Sequence, residues 1–188
     1  MSHQKIKMSD KIAAEVERQT GLKNQVQIGS VWDWEIWRQG KMIDSWRDHN
    51  LCTDQGIEDL LDVYFSDGTQ TNTHYIALFS DNHTPAAGNT YATPGYTEST
   101  AYDEAARQTW TEAGVSSKSI TNSASKASFT MSTAVTIYGG ALVSSATKGD
   151  TAASGAKLFC VSQFDGGSKV LSASDVLKVT VTISGADS

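Results

Sequence analysis

The chain has 188 residues, with 15 Lys and Arg against 21 Asp and Glu, a formal net charge of -6, and 39% hydrophobic and 19% charged residues. That length suits one folding unit whose core needs neither disulfide nor metal. The acidic balance leaves no basic footprint for nucleic acid, and no apolar run approaches the ~20 residues of a membrane-spanning helix, so neither is an expected partner.

At the N-terminus, residues 1–8 are polar and lack the apolar stretch of a secretory signal, so the chain is expected to stay in the cytoplasm of the cell that makes it. Ser9 is a good N-cap, Ile12, Ala13 and Val16 form a narrow apolar stripe, and Gly21 is a good C-cap, which together predict a short helix. Residues 1–22 are read as an arm carrying that helix, and residues 23–188 as a single β-sandwich domain. In QVQIGSVWDWEIWR (25–38), Val26, Ile28, Trp32, Trp34 and Ile36 take even positions, the period of a strand. Val31 and Trp37 interrupt it and predict a bulge near Gly29. Gln39-Gly40 supplies a turn, and residues 41–49 return antiparallel with Met42 and Trp46.

The clearest helix follows Thr53 as cap, with Ile57, Leu60, Leu61, Tyr64 and Phe65 at i, i+3, i+4, i+7 and i+8. It is expected to lie on a sheet with Glu58, Asp59 and Asp62 in solvent. After an Asp67-Gly68 turn, HYIALFS (74–80) reads as a central strand covered on both faces, and residues 81–97 as a long loop. A second short helix is expected from about Asp103, with Thr100 as cap. Beyond residue 113 the chain is rich in Ser, Thr, Ala and Gly, and its β-branched and aromatic runs at 135–138, 158–161 and 176–183 predict strands. Gly139-Gly140 reads as a strand bulge and Gly166-Gly167 as a hairpin turn. The predicted fold is mainly β, a jelly-roll-like antiparallel β-sandwich with two or three short helices and an N-terminal arm.

Chemistry-bearing motifs are sparse. There is no G-x-S-x-G, and His3, His49, His74 and His83 have no recognisable catalytic context. C-x-x-C, H-E-x-x-H and phosphate-cradling glycine motifs are absent, and Asp81-Asn82-His83 reads as a locally hydrogen-bonded turn. No enzymatic activity, cofactor or metal is expected. Cys52 and Cys160 read as reduced, buried small hydrophobes; a bridge between them is compatible with the sequence but not implied by it. Trp32, Trp34, Trp37 and Trp46 fall within fifteen residues. Such a face suits a sugar or a base, yet the expectation is that Trp32 and Trp34 pack in the core and Trp37 and Trp46 pair across the hairpin. Glu98, Tyr102, Glu104, Arg107 and Trp110 read as a helix-face ion pair with an aromatic lid over the core.

The succession NLCTDQGIEDLLDVYF (50–65), HYIALFS (74–80), GYTESTAYDEAARQTWT (95–111), NSASKASFTM (122–131), YGGALVSSATKG (138–149) and KLFCVSQF (157–164) resembles a family of small virion structural proteins of tailed bacteriophages. That family includes capsid decoration or cement proteins and neck or tail accessory proteins. The likeness spans residues 50–183, leaves the N-terminal residues before it uncovered, and departs where Ala77 stands in place of a frequent Gly. It implies a β-sandwich used as scaffold or glue, with no catalytic residues to carry over. The expected function is a decoration or cement protein on the major capsid protein, in a virion assembled in the host cytoplasm. Met1, Ile6, Met8, Ile12, Val16 and Arg18 of the arm, with Trp37 and Trp46, are the expected partner-binding residues, and a homodimer or homotrimer is the expected assembly. The competing expectation is a neck, collar or tail-fibre component whose sandwich faces a receptor or glycan.

Overall fold

The computed structural model describes residues 26–187. The arm and its expected helix lie outside the described residues.

The period of two at the start of the domain is realised in β1 (Val26–Arg38), where Ser30, Trp32, Trp34 and Ile36 are buried and odd positions face outward. β1 runs antiparallel to β13 (Val176–Asp187) in unbroken register from Val26↔Asp187 to Trp37↔Val176, so no bulge falls at Gly29. Trp37 does not break the alternation. It faces outward, and Lys178 covers it, with Nζ 4.2 Å from the ring centroid. Gln39 and Gly40, with φ of 50° and 76°, make the two-residue turn into β2 (Lys41–His49). The irregularity sits here instead: the β1–β2 register shifts between Ile36 and Trp37. That shift places Met42 opposite Trp37 on the outer face, where it is 53% exposed, and leaves Trp46 opposite Trp34. The expected Trp37–Trp46 pair is therefore replaced by Trp34–Trp46.

Further along lie β3 (Leu51–Cys52), helix α1 (Asp54–Phe65), β4 (Tyr75–Phe79), β5 (Glu98–Ser99), β6 (Gln108–Thr109), β7 (Ser119–Thr121) and β8 (Ala127–Thr130). They are followed by β9 (Val135–Ile137), β10 (Gly139–Val143), β11 (Leu158–Gln163) and β12 (Lys169–Leu171). One sheet has the order β2-β1-β13-β7, with β8 also paired to β13; the other has β3-β11-β10-β4-β5, with β6 also paired to β4. β12 and β9 form a separate pair, and the pairings are antiparallel throughout.

The main core brings both sheets together. Trp32, Trp34 and Ile36 of β1 and Leu177, Val179 and Val181 of β13 cluster with Ile76, Leu78, Leu142 and Cys160 of the second sheet. Trp34 stacks on Trp32 and Trp46, with centroids 5.3 and 6.1 Å apart, and Phe164 meets Trp34 edge-on at 4.9 Å. Ala77, Phe79, Ala141, Val143 and Val161 form a second cluster with Tyr91 of the 81–97 loop. β4 and β10 are thus buried on both faces, as an uninterrupted apolar run requires. The molecule is mainly β, antiparallel and sandwich-like.

Three local expectations are corrected. No helix starts at Asp103: Tyr102 bridges Met131, Asp103 N–H donates to Thr130 O at 2.8 Å, and the Glu104 carboxylate accepts from Thr130 N. Those bonds use the segment to close the end of β8, and α1 is the single helix among the described residues. Gly139 and Gly140 are not a bulge but regular β10 positions; a Cβ on Gly139 would stand 2.1 Å from Ser162 O, and one on Gly140 2.8 Å from the Trp34 ring. Gly167 has φ 80° and makes a turn, but that turn links β11 to β12, which pairs with β9, so it closes no hairpin. Among the described residues no helix is long and apolar enough to cross a membrane.

Candidate functional site

The surface that demands an explanation is on α1. Its N-terminus is fixed by polar bonds to the second sheet: Thr53 N–H donates to Phe159 O at 3.0 Å, and Asp54 N–H to Ala87 O at 2.9 Å. Thr53 Oγ1 accepts from Gly56 N at 3.1 Å as N-cap, and Gln55 Oε1 accepts from both Tyr91 N and Leu158 N. This clamp presses Gly56 onto β11, where a Cβ would stand 2.5 Å from Phe159 O. At 100° per residue, Gly56, Asp59 and Val63 share the side nearest the sheet, and they are the less exposed positions of the helix body. Asp59 is accordingly half-buried, with Lys157 Nζ 3.4 Å away.

The expected orientation is therefore rotated by about a third of a turn. Ile57, Leu60 and Leu61 are 36%, 39% and 48% exposed, and Tyr64 and Phe65 about three-quarters exposed. Of the helix's own residues only Gly56 is buried. The apolar stripe that reads in sequence as a core contact is instead an outward face, crossed by the edge-on Tyr64–Phe65 pair at 4.9 Å.

Leu60 lines two grooves that extend this face. One, of about 370 Å³, lies between α1 and the sheet end and includes Val26, Ile28, Val115, Ile120 and Ile183. The other, of about 430 Å³, includes Val63, Tyr64, Phe65, Phe159 and His74. The His74 ring stands 6.2 Å from both Trp110 and Phe159, and burial holds its imidazole below the usual histidine range, against the opposing pull of Asp59 and Glu112. The helix carries four carboxylates, Asp54, Glu58, Asp59 and Asp62, and no basic residue. An outward apolar face bordered by acids is the candidate site among the described residues.

The other expected site residues are distributed differently. Trp37 is half-buried under Lys178 and donates its Nε1–H to Glu35 at 2.8 Å. Trp46 packs against the core with Lys169 Nζ 4.4 Å over its ring. The two rings lie on opposite faces of the first sheet, so they do not form one ribbon. Met1, Ile6, Met8, Ile12, Val16 and Arg18 lie outside the described residues.

Two remaining clusters are structural in geometry. Arg107 is buried in a bidentate pair with Glu98 at 2.9 and 2.6 Å, and its other donors reach Tyr91 Oη, Ser145 O and Asp150 O. Burial alone would lower the guanidinium's pKa; the paired Glu98 carboxylate outweighs it and raises it. Cys52 and Cys160 are directly opposed across β3 and β11 as free thiols, and burial pushes Cys160 up to about 12. The Asp81-Asn82-His83 turn is closed locally by His83 N–H donating to Asp81 O at 3.0 Å, but the Asp and Asn side chains bond elsewhere: Asp81 Oδ1 accepts from Thr97 N at 2.8 Å and Asn82 Oδ1 accepts from Gln163 Nε2. No grouping of three or more metal-ligating side chains occurs among the described residues.

Sequence reasoning found the α1 side chains but assigned them to the core. The signal that could have corrected it is Gly56: a glycine in the first turn, one helical turn before Asp59 and two before Val63, marks the side of closest approach. Comparison with family models finds no match for this chain, and comparison with curated proteins finds none either.

Proposed function

We propose that this chain is a non-enzymatic structural protein of a tailed-phage particle, a capsid decoration or cement protein that binds the major shell protein. The sandwich, read as jelly-roll type, serves as the rigid body, and the arm of residues 1–18 joins it to neighbouring subunits. The observation that carries this reading is the outward apolar face of α1. A helix clamped to a β core by Thr53 and Gln55 while presenting Leu61, Tyr64 and Phe65 to solvent is built for contact with another surface. The motif succession over residues 50–183 supplies the particle context. Few charges and many Ser, Thr and Ala side chains let such a body pack against neighbours with little desolvation penalty.

The test is the copy number of the chain in purified particles, measured by quantitative mass spectrometry against the major shell protein. Parity or a simple fraction is expected. A few copies per particle would move the protein to the neck or tail, and absence would overturn the reading. In the same particles, deletion of residues 1–20 is expected to abolish shell occupancy while the domain stays folded.

A further inference from the structure

We infer that the apolar face of α1 is the docking site for the chain's own N-terminal segment, residues 9–22, in the free protein. This goes beyond the particle reading and does not depend on it. Val26, where the described chain begins, lines the same groove as Leu60, so the preceding residues leave from the rim of the apolar surface. Residues 23–25 span about 10 Å when extended, enough to turn back along α1. The helix expected over residues 9–21 would be about 19 Å long, against about 18 Å for the twelve residues of α1.

The chemistry of the two surfaces matches. Ile12, Ala13 and Val16 offer a narrow apolar stripe of the kind that packs along Leu60, Leu61 and Tyr64. Lys5, Lys7, Lys11, Arg18 and Lys23 outnumber Asp10, Glu15 and Glu17 in residues 1–25, whereas α1 carries four acids and no base. A second copy's α1 would bring four more acids and no base toward Glu58 and Asp62, which border the apolar face, whereas residues 9–22 set Lys11 and Arg18 among their three acids and the flanking Lys5, Lys7 and Lys23 make residues 1–25 net basic. Its covalent tether holds it at a local concentration on the order of millimolar, so a modest contact suffices.

The experiment is hydrogen exchange read by mass spectrometry on the full chain and on its I12E/V16E variant. In the variant, amides of residues 60–65 and 9–22 are expected to exchange at least about ten-fold faster, with β4 and β10 unchanged and with no dependence on protein concentration. Unchanged exchange in α1 would overturn the proposal, and protection that fades on dilution would assign the face to a second copy instead. Should β4 and β10 also lose protection, L61S/F65S decides: both positions are exposed, and faster exchange at residues 9–22 is expected while no change there overturns the docking.

Discussion

Glu98 and Arg107 show how one buried pair can fasten several segments at once. Their side chains are 6% and 2% exposed, and the guanidinium ties the strand at Glu98 to the Tyr91 loop and to the backbone at Ser145 and Asp150. Glu98→Gln keeps the shape but leaves a buried cation without its counter-charge, and is expected to lower stability by about 3–5 kcal/mol in chemical denaturation. A loss below about 1 kcal/mol would give the pair the worth of an exposed one. His74 makes a different prediction at the same scale. Burial depresses its pKa in the fold, so the unfolded chain takes up a proton first as pH falls. The stability tied to its neutral form is present above pH ~6.5 and is lost as pH falls through the lower folded value. His74→Phe keeps an aromatic ring against Trp110 and Phe159 and removes the titration. The stability difference between variant and parent should therefore shift in the variant's favour from pH 7 to pH 5; a pH-independent difference would show that His74 titrates alike in the folded and unfolded chain.

Among the elements, α1 separates what period reveals from what contact decides. Apolar spacing identifies the helix and its cap correctly, because periodicity and Thr53 capping are local properties. Which side meets the sheet is set by distant partners, namely Phe159 O, Leu158 N and Ala87 O, and no local spacing records them. Legibility varies in the same way elsewhere. β1 is read correctly because alternation is local, whereas the β1–β2 register shift depends on the turn geometry at Gln39 and Gly40. The Asp103 segment has helix-compatible residues, yet Glu104 and Arg107 bond to other segments and hold it open. Of the apolar face of α1, the residues are legible in the sequence but their exposure is not. Gly56→Ala tests the contact that rotates α1. In an open helix that change stabilises by about 1 kcal/mol. Here the new methyl would meet Phe159 O at 2.5 Å, backbone that cannot swing aside, so a loss of about 1–3 kcal/mol is expected. A rise in Tm would mean that α1 does not seat on β11 as described.

At the scale of the whole molecule, β13 closes the fold. It pairs with β1 along nearly its full length, carries β7 and β8 on its other edge, and supplies Leu177, Val179 and Val181 to the core shared by both sheets. Its longest partner, β1, comes from the opposite end of the described chain, so the first sheet cannot be completed until residues 176–187 are present. The second sheet cannot stand in for it. Ile76, Leu78 and Leu142 would lose the surface they pack against, and Trp32 and Trp34 would lose one flank. A chain ending at residue 175 is therefore expected to show no cooperative thermal transition by near-ultraviolet circular dichroism. The intact chain, whose central pairing is this non-local, is expected to refold in roughly milliseconds to seconds, as sheet proteins of high contact order do. Cooperative melting of the truncated chain would show that β4, β10 and β11 hold a core of their own, and β13 would then be an addition to the fold and not its closure.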